Sequence, residues 1–513
     1  MTAASPATIR QAGGQRIASA MASSPLLLAL AIISLVTAVR LTGTVDSDVA
    51  WQLWIGQRML GGARLYQDIV ETNPPLWFWM ALPVDGIASM LHMRPEAVLI
   101  IGMGVLGALA LCATERLIRH IGPRRRTFLL AYGSVTLLAL PWLHTGQREQ
   151  IVLTAAVPYA ALVAARREGR AVTLPLAVLV GIGGGLGFGL KHYFLIVPTM
   201  LELWLFVGRR AGWRLFRPET IALVAVGAGY AVALLLWDRR FLTDIVPLIR
   251  IAYGPYGAPS FQSLFGLPVI VGLIILAVSV LHSRLLTRAP FASALTICAV
   301  GFGLAYFIQF KGWPYHAIPL LGCASLALGA LLAEGDALPE PLRFMAPGLL
   351  MLPFALTARE QMRPRLPDRD VLGSVAGLRS GDSVGFLSIE TAIPWSVTLQ
   401  GRYRYASRYN GFWMSEAILQ NERSRSPDPR LVRLGHQIVA QTVDDFLCIP
   451  PKRIIVVRPL SRNYGPDILP LFLRDPRFAA VLSHYRVISR TSLETYQLAS
   501  SLPPATATCR RGV

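Results

Sequence analysis

The sequence predicts a polytopic α-helical membrane protein of about 11–13 spans that ends in a small α/β domain on the outer face. Three observations carry this reading. Apolar runs of about 18 or more residues recur through the first 358 positions, the length a helix needs to cross the hydrocarbon of a bilayer. Hydrophobic residues make up 53% of the chain and charged ones only 15%, where a soluble protein carries roughly a quarter. From about Arg359 the apolar runs shorten while Arg, Asp, Ser and Pro rise.

The first span covers residues 24–41. Arg10 and Arg16 precede it with no clean cleavage site, so the N-terminus is expected to stay inside and the loop at 44–79 to lie outside. That loop is acidic, aromatic and rich in turns, with Asp46, Asp48, Asp68 and Glu71 in a chain whose apolar runs carry almost no acid. Leu76 to Met90 is apolar but contains Pro83, Asp85 and Gly86, which suits a full crossing or a re-entrant helix. Later spans read near 97–118, 127–143, 150–165, 172–190, 193–208, 220–237, 266–283, 290–309, 315–333 and 344–358.

Between these spans, RHIGPRRR, ARREGR, GRRAGWRLFRPE, HSRLLTR and EGDALPEPLR alternate with HTGQREQ, KHYF, the Trp237–Phe265 loop and QFKGWPYH. The first set holds most of the loop arginines and is therefore expected inside; the second shares the outer face with the acidic loop. That parity favours the re-entrant form of Leu76–Met90, leaving about eleven spans. Residues 1–358 are thus read as the transmembrane domain and 359–513 as a soluble α/β domain outside. Its strand-like pieces are SVGFLSI, RIIVV and YRVIS, with the helical stretch DPRLVRLGHQIVAQTVDDFL among them.

The formal charge of +20 invites a nucleic-acid partner, but arginine-rich short loops between spans account for it by topology. No internal repeat, P-loop, GxGxxG, HExxH or GxSxG is present. Gly181–Gly189 lies inside an apolar span, where close helix packing explains it better than a phosphate cradle. Cys112, Cys298 and Cys323 fall in apolar spans without metal spacing. Cys448 and Cys509 lie in the tail, where an oxidising compartment would let them pair.

Four outer clusters could carry chemistry. Asp46 and Asp48 stand just before an aromatic helix at Trp51–Leu60; either carboxylate suits a general base or an N-cap. In LYQDIVETNPP, Tyr66 and Glu71 could contact substrate; Glu71 could be a second acid or a metal ligand, and reads slightly better as a solvated loop charge. Gln147-Arg148-Glu149 offers either a structural ion pair or an acceptor-orienting carboxylate. Lys191 and His192, and Lys311 with Trp313, Tyr315 and His316, place cations on the face where positive-inside predicts few. An anionic head group such as a lipid-carrier phosphate would explain them, as would snorkelling or an aromatic belt. Arg239 and Arg240 form a weaker anion candidate.

Asp48, Met59–Asp68 and Pro74–Trp79 together form a pattern that resembles the GT-C glycosyltransferases, nearest the protein O-mannosyltransferase and lipid A aminoarabinose transferase group. In that group the Asp after the first span lies twelve residues before the leucine of a Met-Leu pair, a spacing that Asp48 and Leu60 match. The Arg-x-Asp turn of the second outer loop looks like Arg148-Glu149-Gln150, with Glu for Asp, and the lysine ending a Gly-rich span matches Lys191. Gln309–His316 also resembles bacterial members. The usual Lys before Pro-Pro is Asn73 here.

The resemblance implies an inverting transfer of sugar from a polyprenyl-phosphate donor to a glycan, lipid or protein acceptor. Asp48 (or Asp46) would be the base, Glu149 would assist, and Lys191, His192, Lys311, His316 and Arg148 would meet the donor phosphate. It implies no required cofactor, with a divalent metal compatible. It also implies a bacterial inner (plasma) membrane, a cytoplasmic N-terminus and a periplasmic C-terminal domain. A ligase or polymerase using a diphosphate-linked glycan is the alternative; a lipid-carrier transporter is less favoured, because no related halves are visible.

Overall fold

The computed structural model describes residues 24–253, 260–333, 340–362, 368–458, 466–504 and 509. Arg10 and Arg16, and residues 334–339 of the EGDALPEPLR loop, lie outside the described residues. The longer helices are, in order, α1 (Pro25–Arg40), α2 (Ser47–Leu60), α3 (Leu76–Leu91), α4 (Pro95–Leu117), α5 (Pro123–Leu138), α6 (Arg148–Arg167) and α7 (Leu174–Gly189). There follow α8 (Ile196–Arg209), α9 (Pro218–Trp237), α10 (Leu267–Leu281), α11 (Pro290–Gln309), α12 (Ile318–Ala333), α13 (Glu340–Gln361) and α14 (Pro429–Cys448).

Every span read from the sequence has a helix at its position. Their lengths differ from the expectation. Among the described residues, four segments are long and apolar enough to cross a membrane: Pro95–Leu117, Pro218–Trp237, Pro290–Gln309 and Pro314–Ala333. Helices α1, α3, α7 and α10 are apolar but shorter, 15 or 16 residues. At 1.5 Å per residue such a helix measures about 24 Å, short of a hydrocarbon core of about 30 Å. Helix α3 runs unbroken through Pro83.

The chain divides into two compact units. The first comprises Met1–Thr44, Leu99–Tyr230 and Pro259–Met362. Here α12 is buried almost all round and packs against α10 and α11, while α11 also meets α6 and α8. A helix apolar on every side needs such central placement. The Gly-rich run in α7 does what its composition predicts: a Cβ at Gly181 would stand 2.4 Å from the Glu219 carbonyl oxygen, and one at Gly187 2.6 Å from Ala155 Cβ. Only glycine lets the helices approach so closely.

The second unit comprises Val45–Val98, Ala231–Ala258 and Arg363–Val513, so the acidic loop packs with the tail. A five-stranded mixed sheet forms from β1 (Ser383–Leu387), β2 (Arg404–Tyr405), β3 (Arg453–Val457), β4 (Tyr485–Arg490) and β5 (Leu493–Leu498), in the order β2-β1-β3-β5-β4. β1 pairs parallel with β2 and β3, and β5 antiparallel with β3 and β4. The parallel β1–β3 pair requires a crossover, which α14 supplies with Leu431, Leu434, Ile438 and Phe446 buried along one stripe. β1 and β3 are buried nearly throughout, as central parallel strands are.

Two features tie the tail to the acidic loop. Trp395 packs on Trp51 and Trp54 of α2, with ring centroids 4.8 and 5.4 Å apart, and Tyr405 closes the aromatic cluster. The Val70 amide donates to the Arg408 carbonyl at 2.8 Å. Arg408 itself is buried and chelates Asp445 of α14, with Nη2 2.6 Å from Oδ1. Cys448 and Cys509 form a disulfide with Cα atoms 5.5 Å apart, closing a separation of 61 residues.

Asp445→Asn is expected to leave the Arg408 guanidinium buried without its charge partner and to destabilise by about 3–5 kcal/mol. A chemical-denaturation midpoint measured beside an Arg408→Met, Asp445→Asn double variant checks this, because the double variant should recover much of the loss. Alkylation of the unfolded, unreduced protein followed by mass measurement should label Cys112, Cys298 and Cys323 only. Reduction should expose the remaining two.

Candidate functional site

Three breaks in helical structure build a polar cluster inside the first unit. The turn before α6 passes through Gly146 at φ +88°, and Gln147 caps the helix so that Arg148 and Glu149 open its first turn. Gln150 secures that turn: its Oε1 accepts from the Gly146 amide at 2.7 Å while its Nε2 donates to Leu137. The second break follows α7, where Lys191 is extended ahead of a short turn at His192–Leu195. The third follows α11, where Phe310 and Gly312 both take positive φ before the turn Pro314–Ala317.

These breaks bring Glu149, Lys191 and His316 together. Lys191 Nζ donates to Glu149 Oε1 at 2.6 Å and to Gln309 Oε1 at 2.9 Å, and it lies 3.1 Å from His316 Nε2. Glu149 is fully buried, and Lys191 and His316 are 8% and 5% exposed. A charged lysine has only donors, so His316 Nε2 is the acceptor and the imidazole proton sits on Nδ1. Arg148, Lys311 and His144 also act electrostatically on His316. Tyr315 meets its ring edge-on (4.5 Å) and Trp313 lies tilted against it (5.2 Å), with His144 tilted against Tyr315 (5.3 Å).

Lys191 and Glu149 thus form a buried ion pair at the centre of the cluster, within the electrostatic reach of Arg148 and Lys311 on His316. Two of its buried atoms, Glu149 Oε2 and His316 Nδ1, have no hydrogen-bond partner among the described residues. His192 stands apart: it is exposed and stacks on Tyr193 with centroids 3.8 Å apart. Gln309 belongs to the cluster although the candidates above do not include it. Its signal was present, as a lone amide at the C-terminal end of an apolar helix.

The second unit holds the acidic loop residues. Asp46 is the N-cap of α2, accepting from the Val49 amide at 2.9 Å. Asp48 is half-buried in the first turn of the same helix. Glu71 is no solvated loop charge: it is 2% exposed and takes the Thr72 and Asn73 amides at 2.7 Å each, the Asn73 side chain at 2.8 Å and the Trp51 indole N–H. Its carboxylate folds the loop. Tyr66 is likewise buried, at φ +63°, with its hydroxyl donating to the Asn73 carbonyl at 2.6 Å and its ring against Phe241. Arg58 lies over Trp54, and burial followed by the Arg404 charge draws its guanidinium down to about 10. Arg239 and Arg240 are exposed.

Among the described residues no three His, Cys, Asp or Glu side chains are placed to hold a metal ion.

No protein-family model matches the chain, and no curated protein matches it. Solved structures do. ArnT from Cupriavidus metallidurans bound to undecaprenyl phosphate aligns over 93% of this chain and 98% of its own, at 12% identity and a TM-score of 0.55. The archaeal oligosaccharyltransferase AglB from Archaeoglobus fulgidus, in complex with an inhibitory peptide and a dolichol-phosphate, aligns over 94% and 75% at 12% identity and TM-score 0.44. An Archaeoglobus fulgidus oligosaccharyltransferase complex with Zn and sulfate aligns over 93% and 73% at 13% identity and TM-score 0.42. The last two scores are too low to bear on the fold. The first spans nearly the whole of both chains, and on it the chain shares the fold of that ArnT structure.

Proposed function

We propose that the chain is a membrane glycosyltransferase that moves a sugar from a polyprenyl-phosphate donor to an acceptor at the outer face of a bacterial inner membrane. The observation that carries this reading is the buried cluster of Glu149, Lys191, Gln309 and His316, in which His316 Nδ1 has no hydrogen-bond partner among the described residues. A buried polar group left so is costly unless a ligand or water meets it. A phosphate oxygen would accept from His316 Nδ1–H, and the structural neighbour ArnT is bound to undecaprenyl phosphate. The disulfide in the tail suits an oxidising compartment, in keeping with an outer location for that domain.

The reaction is a single displacement. A lone pair of the acceptor hydroxyl or amine attacks the anomeric carbon as the acceptor proton passes to the Asp48 carboxylate. The bond from that carbon to the phosphate oxygen breaks, its electron pair stays with the phosphate, and the configuration inverts. Lys191, Lys311 and Arg148 offset the negative charge that grows on the departing phosphate, and His316 Nδ1–H supplies a neutral donor. Glu149 acts through Lys191, holding its ammonium charged and aimed. Asp46 keeps α2 capped and leaves proton transfer to its neighbour.

The testing experiment is transfer of radiolabelled sugar from a panel of polyprenyl-phosphate sugars by the purified chain with native membrane lipids and glycans. Asp48→Asn should lower transfer by about 10²–10⁴-fold without changing donor binding. Intact transfer by a folded Asp48→Asn protein would refute the base assignment, and label moving only from diphosphate-linked donors would replace the donor class. Lys191→Met should raise the KM for donor by about tenfold or more. Glu149→Gln alone should destabilise by about 3 kcal/mol or more, and Glu149→Gln with Lys191→Met should recover stability but not transfer. A double variant that recovered both would show the pair to be structural only.

A further inference from the structure

The loops ARREGR and GRRAGWRLFRPE were assigned to one face because their arginines fit a topological rule. Such a rule asks only for solvated cations in short loops. In the first unit these arginines are instead folded into a cleft of about 300 Å³, lined by Arg166, Arg170, Arg209, Arg214 and Arg217 with Trp213 at its side.

The carboxylates near it are already engaged. Glu219 is fully buried and accepts from Arg166 Nε and Nη2 and from Arg217 Nε, each at 2.9 Å. Glu202 takes Arg217 and the Trp213 indole, and Glu168 pairs with Arg170 at 2.5 Å. Among the described residues, Arg209 and Arg214 have no carboxylate within 4.0 Å.

The Arg209 guanidinium lies against the turn after α6: a Cβ at Gly169 would stand 2.8 Å from its Nη1, and the φ of +76° there is what calls for glycine. At the rim, Leu215 and Phe216 are 47% and 81% exposed, and Trp213 stands edge-on to Phe206 at 5.3 Å. Apolar side chains exposed beside unneutralised arginines match a surface that meets lipid tails and charged head groups together.

We propose that this cleft binds the phosphate of an anionic phospholipid head group. Arg209 and Arg214 meet the phosphate oxygens, and Leu215 and Phe216 enter the acyl layer beside it. The same oxyanion chemistry would be offered by free phosphate; the exposed Phe216 favours the lipid. The cleft shares no residue with the Glu149–Lys191–His316 cluster, so the proposal stands apart from the transferase reading.

The test measures binding of phosphatidylglycerol and phosphatidylcholine to the full chain in detergent, by native mass spectrometry, for wild type, Arg209→Gln/Arg214→Gln and Phe216→Ser. Inorganic phosphate serves as competitor. The wild type should prefer phosphatidylglycerol, and the double variant should lose about thirty-fold of that affinity, with unchanged phosphatidylcholine binding and unchanged unfolding midpoint. Phe216→Ser should weaken the lipid without affecting any binding of phosphate. No preference in wild type, or an unchanged preference in the double variant, would overturn the proposal. Displacement of lipid by millimolar phosphate with no effect of Phe216→Ser would assign the cleft to the free ion and overturn its lipid part. Should the double variant fold poorly, the exposed Arg214→Gln alone carries the same comparison.

Discussion

A lysine ammonium only 8% exposed survives in a membrane body only if its charge is met, and the Lys191–Glu149 pair meets it. Much of the first unit follows from that constraint. Helix α6 must begin at Gln147 so that Glu149 faces inward, and α7 must stop at Gly189 so that Lys191 can leave the helix and extend. Helix α11 must end on Gln309, whose amide takes a second ammonium hydrogen. Each break costs backbone hydrogen bonds, and each is met by a short turn or by Gln150. Three helix ends that could have been placed independently are thereby fixed to one another.

In the second unit the corresponding constraint is the loop itself. The fifteen residues 61–75 between α2 and α3 have no long secondary structure, and in a compact body their backbone groups have to be satisfied locally. Glu71 does much of this, gathering two amides, one side-chain amide and the Trp51 indole on a single carboxylate. Tyr66 pins the same segment from its other side through Asn73. The tail then braces the helix that the loop flanks, with Trp395 against Trp51 and Trp54. Trp51 lies one helical turn after Asp48, so the packing of the tail bears on where that carboxylate points.

Helix positions were legible because apolar runs and their Pro, Gly and Arg boundaries are local signals. The strands SVGFL, RIIVV and YRVIS were legible for the same reason, being short, rich in β-branched residues and set off by polar turns. β2 was not: at two residues it exists only because β1 offers an edge. The lengths of several membrane helices were also hidden, since hydropathy runs on through residues that the backbone leaves as turns. Within the site, Arg148, Glu149, Lys191, Lys311, Trp313, Tyr315 and His316 could be named from charge where apolar sequence was expected, and the structure gathers them in one unit. What the residue types could not show was which charges do chemistry and which hold the backbone. Glu71 and Tyr66 look like ligands in the sequence and act as internal fasteners in the structure, because burial is a property of the whole fold.

The same distinction separates the four acids of the loop after α1. Asp68 accepts from the Arg64 amide and side chain, Glu71 is filled by its own turn, and Asp46 caps α2. Each is tied to backbone N–H groups and so serves to hold the local chain in place. Asp48 stands in the first helical turn with the cap position already taken by Asp46. The helix start therefore does not need Asp48 as its cap, whereas the other three acids are each spent on the backbone around them. That division of labour is what the proposed mechanism draws on when it gives proton transfer to Asp48 and the cap to Asp46.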